Sequence, residues 1–154
     1  PGTMQVTSDQ ALDQSASDRI RIWKGAMTMI QEHPVLGIGF ATFESRILHY
    51  YPGREAHNPH NNYLLIASEM GLPALLVFLW LLWRIFRNAW ALHRNAQDSF
   101  AKALALGFLG GLFGLLVSNM YGSRLNYPEA TCYFWILTAI IVRLNMLERT
   151  ARHE

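Results

Sequence analysis

Three stretches of about 20 residues with almost no charge, at 64–83, 101–120 and 128–147, constrain this chain more than any other feature. An α-helix of about 20 residues crosses a hydrocarbon core of about 30 Å. The first stretch carries one charge, Glu69, near its start. The second carries only Lys102, at its edge, and the third has Glu129 near one end and Arg143 nearer the other. The second stretch is apolar on every face, unlike the one-sided pattern of a helix on a soluble domain. Backbone in lipid must satisfy its own hydrogen bonds, and the helix does so within one segment. The expected fold class is therefore all-α, with three membrane-spanning helices at about 64–86, 101–121 and 127–147.

Composition supports this by its distribution. Charged residues make up 16% of the 154 residues and apolar residues 51%, against about 25% charge in a soluble domain. Residues 1–62 are polar and mixed, whereas 63–147 are rich in Leu, Ala, Gly, Phe and Trp. A soluble domain would intermix the two. The chain thus reads as a loop region, 1–62, followed by a membrane region with a short tail, 63–154. Gly107, Gly110, Gly111 and Gly114 give the second span a small-residue face that a neighbouring helix could approach closely. The net charge of +2, with no continuous basic face, argues against a nucleic-acid partner. The single cysteine, Cys132, reads as a buried, inert thiol.

Basic residues set the orientation. Arg84, Arg87, Arg94 and Lys102 flank the first connection between spans, and Arg143, Arg149 and Arg152 follow the third. Only Arg124 lies between the second and third spans. Residues 1–62 and 121–129 are thus expected outside, with the tail in the cytoplasm. Tyr121 and Tyr127 stand where an outer aromatic belt would lie, and Trp83 and Trp90 where an inner one would. The chain starts at Pro1, and its polar beginning has no signal pattern. It therefore reads as the C-terminal piece of a longer membrane protein.

Within the loop region, residues 1–17 read as flexible. Ile20, Trp23, Met27 and Ile30 then recur at helical spacing and predict a helix over about 18–31, capped by Ser17 or Asp18. His33-Pro34 should end it. Gly37 and Gly39 suit a tight turn, and a second helix is expected at about 42–50. Residues 51–62 are turn-rich and hold the densest polar cluster: Arg54, Glu55, His57, Asn58, His60, Asn61 and Asn62.

Three readings of that cluster compete. It is a solvated loop with Asn61 or Asn62 as a helix cap, a metal site built on His57 and His60, or a site for acid–base work on a membrane-borne substrate. Two histidines at i,i+3 without a fixed third ligand are a weak metal signal. Histidine suits proton transfer because it titrates near neutrality. Arg19 and Arg21 are either an exposed basic pair or a phosphate clamp, since guanidinium presents a fork of donors that matches phosphate oxygens. Glu69 is an ionisable group in an apolar stretch, and Arg124 is either an interfacial anchor or an anion contact.

The pieces Arg19-x-x-x-Trp23, Pro34-x-x-Gly37-x-Gly39-x-x-x-Phe43, His60-Asn61-x-Tyr63-Leu64 and Glu69-x-Gly71-Leu72 follow one another in a particular order and spacing. Together they resemble the O-antigen ligase and polymerase superfamily over about residues 17–86, and the two later spans fit its C-terminal topology. The resemblance implies a multi-pass glycosyltransferase of the bacterial inner membrane, of the largely helical GT-C type, with its active loop on the periplasmic side. Such enzymes move a glycan from undecaprenyl diphosphate to lipid A core, a growing polysaccharide or a protein. It implies His60 and Arg19 as the reacting pair, with Arg21, Asn61, Arg124, Glu69, Gly37 and Gly39 at the substrate. No cofactor and no metal is implied, because arginines would carry the diphosphate charge. This piece alone is expected to be inactive. The competing classes are a membrane protein that binds or moves lipid-linked glycans without chemistry, and an unrelated channel. A channel would need polar residues inside the later spans, where only Ser118, Asn119 and Thr138 qualify.

Overall fold

The computed structural model describes the backbone at residues 8–50 and 58–150, and side chains at 17–50 and 58–150. All described elements are helical: α1 Ser8–Glu32, α2 Phe43–Tyr50, α3 Asn62–Asn95, α4 Ser99–Ser118, a 3-10 turn Arg124–Asn126, and α5 Pro128–Thr150. The protein is all-α, and α3, α4 and α5 are each long and apolar enough to cross a membrane. Contacts gather into two units, Pro1–Ala74 and Leu75–Glu154.

In the first unit, α1 begins at Ser8, well before the expected start. Asp18 is therefore inside the helix and neither it nor Ser17 is its cap. Residues 8–17 (SDQALDQSAS) contain no Gly or Pro, so their polarity was no obstacle to helix. The helix stops at Glu32, directly before His33-Pro34. Its buried face also differs from the expected one. Ile22, Ala26, Met29 and Ile30 are buried, whereas Ile20 and Met27 are exposed. Both sets have helical spacing. Gly25 lets α2 come close, since a Cβ there would stand 2.7 Å from Ile47 Cδ1, and Phe43 and Ile47 of α2 complete the core with Ile38 and Leu65. The Tyr50 hydroxyl donates to Glu32 Oε2 at 2.6 Å. That bond, with a smaller contribution from burial, raises the Tyr50 pKa above its ordinary value.

The segment between α1 and α2 lies against the first turns of α3. Ile38 N–H donates to Ser68 O at 2.9 Å, Gly39 N–H to Glu69 O at 3.0 Å, and Leu72 N–H to Pro34 O at 2.8 Å. Here α3 is broken at Gly71, with φ 84° and ψ 170°. A Cβ on Gly71 would stand 2.1 Å from Val35 O, and one on Gly37 would stand 2.3 Å from the Glu69 carbonyl carbon. Both glycines are required by this backbone-to-backbone approach and by their positive φ.

In the second unit, Leu82, Ile85, Ala89 and Leu92 of α3 pack with Ala101, Ala105, Phe108 and Leu112 of α4 and with Phe134 and Ile141 of α5. The small residues at these contacts are alanines. A Cβ on Gly107, Gly110, Gly111 or Gly114 would meet no described atom within 4 Å, so the expected glycine-mediated approach is not made in this unit. Asp98 caps α4 by accepting from the Phe100 and Ala101 amides. Cys132 is exposed on α5, contrary to the buried thiol expected. Its apolar neighbours Tyr133, Trp135 and Ile136 are exposed as well. An apolar neighbourhood in a membrane-type helix therefore does not signal burial within the protein.

A fixed corner at His60 and an interlocked loop

The Trp23 indole N–H donates to the carbonyl of Pro59 at 2.7 Å. Pro59 is fully buried, and this one bond ties α1 to the chain entering α3, 36 residues on. His60 follows in the left-handed region, with φ 49°. A non-glycine residue there is uncommon, with Asn, Asp and His its usual occupants. Its amide donates to Asn58 Oδ1 at 3.0 Å. Asn61 then caps α3: its Oδ1 accepts from the Tyr63 and Leu64 amides at 3.0 and 3.1 Å. Backbone groups are thus held on both sides of His60 while its own side chain stays exposed.

Arg19 stands one turn before Trp23, on the same face of α1. It is exposed. Arg21 is exposed too, but it lies roughly 200° round the helix from Arg19. The two arginines therefore face different directions and do not form one clamp. From Trp23 a groove of about 600 Å³ runs between α1 and the start of α3, walled by Ile20, Trp23, Met27 and Leu64, with Lys24 and Asn61 as polar margins. The exposed Ile20 and Met27 are therefore its walls.

Glu69, Gly37 and Gly39 meet at a separate place. The Glu69 carboxylate is buried, and its Oε1 accepts the Phe43 amide at 3.0 Å, capping α2. Acceptance at a helix N-terminus accounts for an acid in an otherwise apolar stretch. These three residues build the interlock with Gly71, whose role the sequence alone does not display. Its positive φ was the missing signal, and no sequence pattern displays it.

Arg124 belongs to the second unit, exposed in the 3-10 turn. Its Nε would lie 3.3 Å from a Cβ on Gly122. Ser118 and Thr138 hydroxyls bond to carbonyls of their own helices. Asn119 is buried and bridges Leu115 O and the Leu125 amide. All three serve backbone groups, and Asn145, a further polar residue of the third span, is buried and donates to Asn88 Oδ1. Arg54, Glu55 and His57 lie outside the described residues.

The Trp23–Pro59 bond carries a direct expectation. Trp23→Phe keeps the ring and removes the donor, leaving the Pro59 carbonyl unpartnered at a cost of about 1–3 kcal/mol. Thermal unfolding of the full-length variant should show the loss. An unchanged midpoint would mean that the bond does not fasten the corner.

A multi-helix membrane protein that presents a braced, exposed histidine beside an apolar groove defines the class, and comparison with known proteins defines the family. The sequence profile of the O-antigen ligase family matches residues 2–79, and the chain belongs to that family. It is 27% identical over 121 residues to a Rickettsia conorii protein provisionally named a polysaccharide ligase, covering 72% of this chain and 29% of that protein. A Rickettsia felis protein with the same provisional name is 33% identical over 88 residues, covering 51% of this chain and 21% of its own length. The chain thus spans less than a third of these relatives. No solved structure matches it.

Proposed function

We propose that this chain works within an inner-membrane glycosyltransferase that moves a glycan from undecaprenyl diphosphate to an acceptor hydroxyl on the periplasmic side. The observation that carries this reading is His60: exposed, left-handed, braced through Pro59 and Asn61, and tied to the helix that bears Arg19. Membership of the ligase family and the relatives' names support a glycan as the substrate.

In this reading the acceptor hydroxyl attacks the anomeric carbon from the side opposite the diphosphate. The new C–O bond forms as the old one breaks, and the electron pair leaves on the diphosphate. His60 accepts the hydroxyl proton through a ring nitrogen and releases it to water. Arg19 stabilises the charge that develops on the leaving diphosphate, and Arg124 is a second candidate for that contact. The groove beside Trp23 takes an apolar portion of the lipid donor. Asn61 retains only its amide N–H groups for the sugar, because its oxygen caps α3. Glu69, Gly37 and Gly39 act by holding the loop shape. The acceptor remains a lipid A core sugar, a growing polysaccharide or a protein side chain.

Purified full-length protein in liposomes, given lipid-diphosphate-linked glycan and acceptor, should form a new glycosidic product. Arg19→Ala should lower kcat by about 10²-fold, the scale for losing one preorganised charge contact. Arg19→Lys should restore part of it, because charge is kept and the bidentate fork is lost. Donor binding without turnover would favour the non-catalytic carrier instead.

A further inference from the structure

The part of α3 beyond residue 79 forms a second polar site, unrelated to the His60 corner in its chemistry. Trp80, Trp83, Arg84 and Arg87 of α3 and Arg149 of α5 line a groove of about 390 Å³. The Arg84 guanidinium lies over the Trp80 ring, 5.6 Å from its centroid, and Arg87 lies over Trp83 at 5.9 Å. These cation–π contacts hold two long side chains in place, so less conformational freedom is lost when they meet a ligand.

Among the described residues, no carboxylate lines this groove. Glu148, next to Arg149, has its Oε2 on the Gln97 amide at 3.1 Å. The remaining polar lining group, Asn88, is engaged with Asn145 and with Arg84 O. Three guanidiniums are therefore gathered with no acid among the described lining residues, which selects an anion. The tryptophans select further. Trp80 and Trp83 are 58% and 53% exposed, so the cationic end of the groove continues into an apolar wall on a helix fit to cross a membrane. Tryptophan of this kind belongs at the membrane interface.

We propose that this groove binds the phosphate headgroup of an anionic glycerophospholipid. Guanidinium fits phosphate oxygens in bidentate fashion, and basic pockets between membrane helices are suited to such headgroups. The phosphodiester sits among Arg84, Arg87 and Arg149, with the acyl chains along Trp80 and Trp83. Because the cations come from α3 and α5, the bound lipid clips the first apolar helix to the third. Nothing in this assignment depends on glycosyl transfer.

The test uses full-length protein stripped of lipid in neutral detergent, with thermal unfolding followed as lipid is added. Phosphatidylglycerol should raise the midpoint by several degrees in a saturable way. Phosphatidylcholine and inorganic phosphate should leave it unchanged. Arg84→Gln with Arg87→Gln and Arg149→Gln should abolish the response. Arg149→Gln alone, at the exposed end of α5 where folding is least at risk, should weaken phosphatidylglycerol binding roughly tenfold. An equal shift with phosphatidylcholine would reduce the effect to hydrocarbon contact, and a shift with inorganic phosphate would make the ligand a free anion. Either result, or a full response in Arg149→Gln, overturns the proposal.

Discussion

Replacing His60 by alanine in the full-length protein should lower glycan transfer by about 10²–10⁴-fold, the range for losing a positioned general base, at an unchanged protein level. The side chain is exposed, so removing it opens no cavity. Its backbone, with φ 49°, complicates a simple alanine result, and two further variants resolve it. His60→Gly accepts the left-handed conformation freely, and His60→Asn is a natural occupant of that region. Both preserve the corner and both lack the imidazole. If chemistry is at stake, all three variants lose transfer alike. If only the corner's shape matters, the glycine and asparagine variants transfer glycan normally while alanine does not. Full transfer by all three would remove His60 from the mechanism. Surface glycan in cells and product formation in liposomes are independent readouts.

Gly71→Ala should destabilise the protein by about 3 kcal/mol or more. Its φ of 84° and ψ of 170° fall in a region nearly reserved for glycine, at about 1–3 kcal/mol for another residue. The added Cβ would also lie 2.1 Å from Val35 O and 2.5 Å from Val35 C. Neither is the tip of a flexible side chain, so backbone must move. The bond from Leu72 N–H to Pro34 O is adjacent and would be displaced too, at about 1 kcal/mol. Gly110→Ala is the matched control. Its Cβ would meet nothing within 4 Å, and alanine is the better helix former by about 1 kcal/mol. The first variant should unfold at a markedly lower temperature or fail to accumulate in membranes, and the second should match the parent or exceed it. Equal behaviour of the two would mean that the Gly71 contact carries no stability.

The membrane helices were legible because burial in lipid is recorded in composition alone, one segment at a time. The stop at Pro34 was legible because proline acts on its immediate neighbour. The start of α1 was not, since the polar string at 8–17 has nothing that forbids helix and nothing that announces it. The sequence does not single out the buried face of α1, because Ile20-Trp23-Met27 and Ile22-Ala26-Met29 have equally good spacing, and only the position of α2 decides between them. At the site, the cap at Asn61 was among the readings of the sequence. The Trp23–Pro59 bond and the meeting of residues 34–39 with 68–72 were not, because each joins positions distant in the chain, 36 residues apart for the first. Glu69 shows the same limit. Its oddity was visible, but whether it meets substrate or a helix end depends on where Phe43 lies.

The bonds from residues 34, 38 and 39 to residues 72, 68 and 69 have a mechanical consequence. Sliding α3 along its axis by one residue, about 1.5 Å, would misalign all three together, and the glycines leave no slack to absorb it. The loop and residues 68–72 at the head of the first apolar helix therefore move together, and a pull on the loop is felt directly at that helical turn.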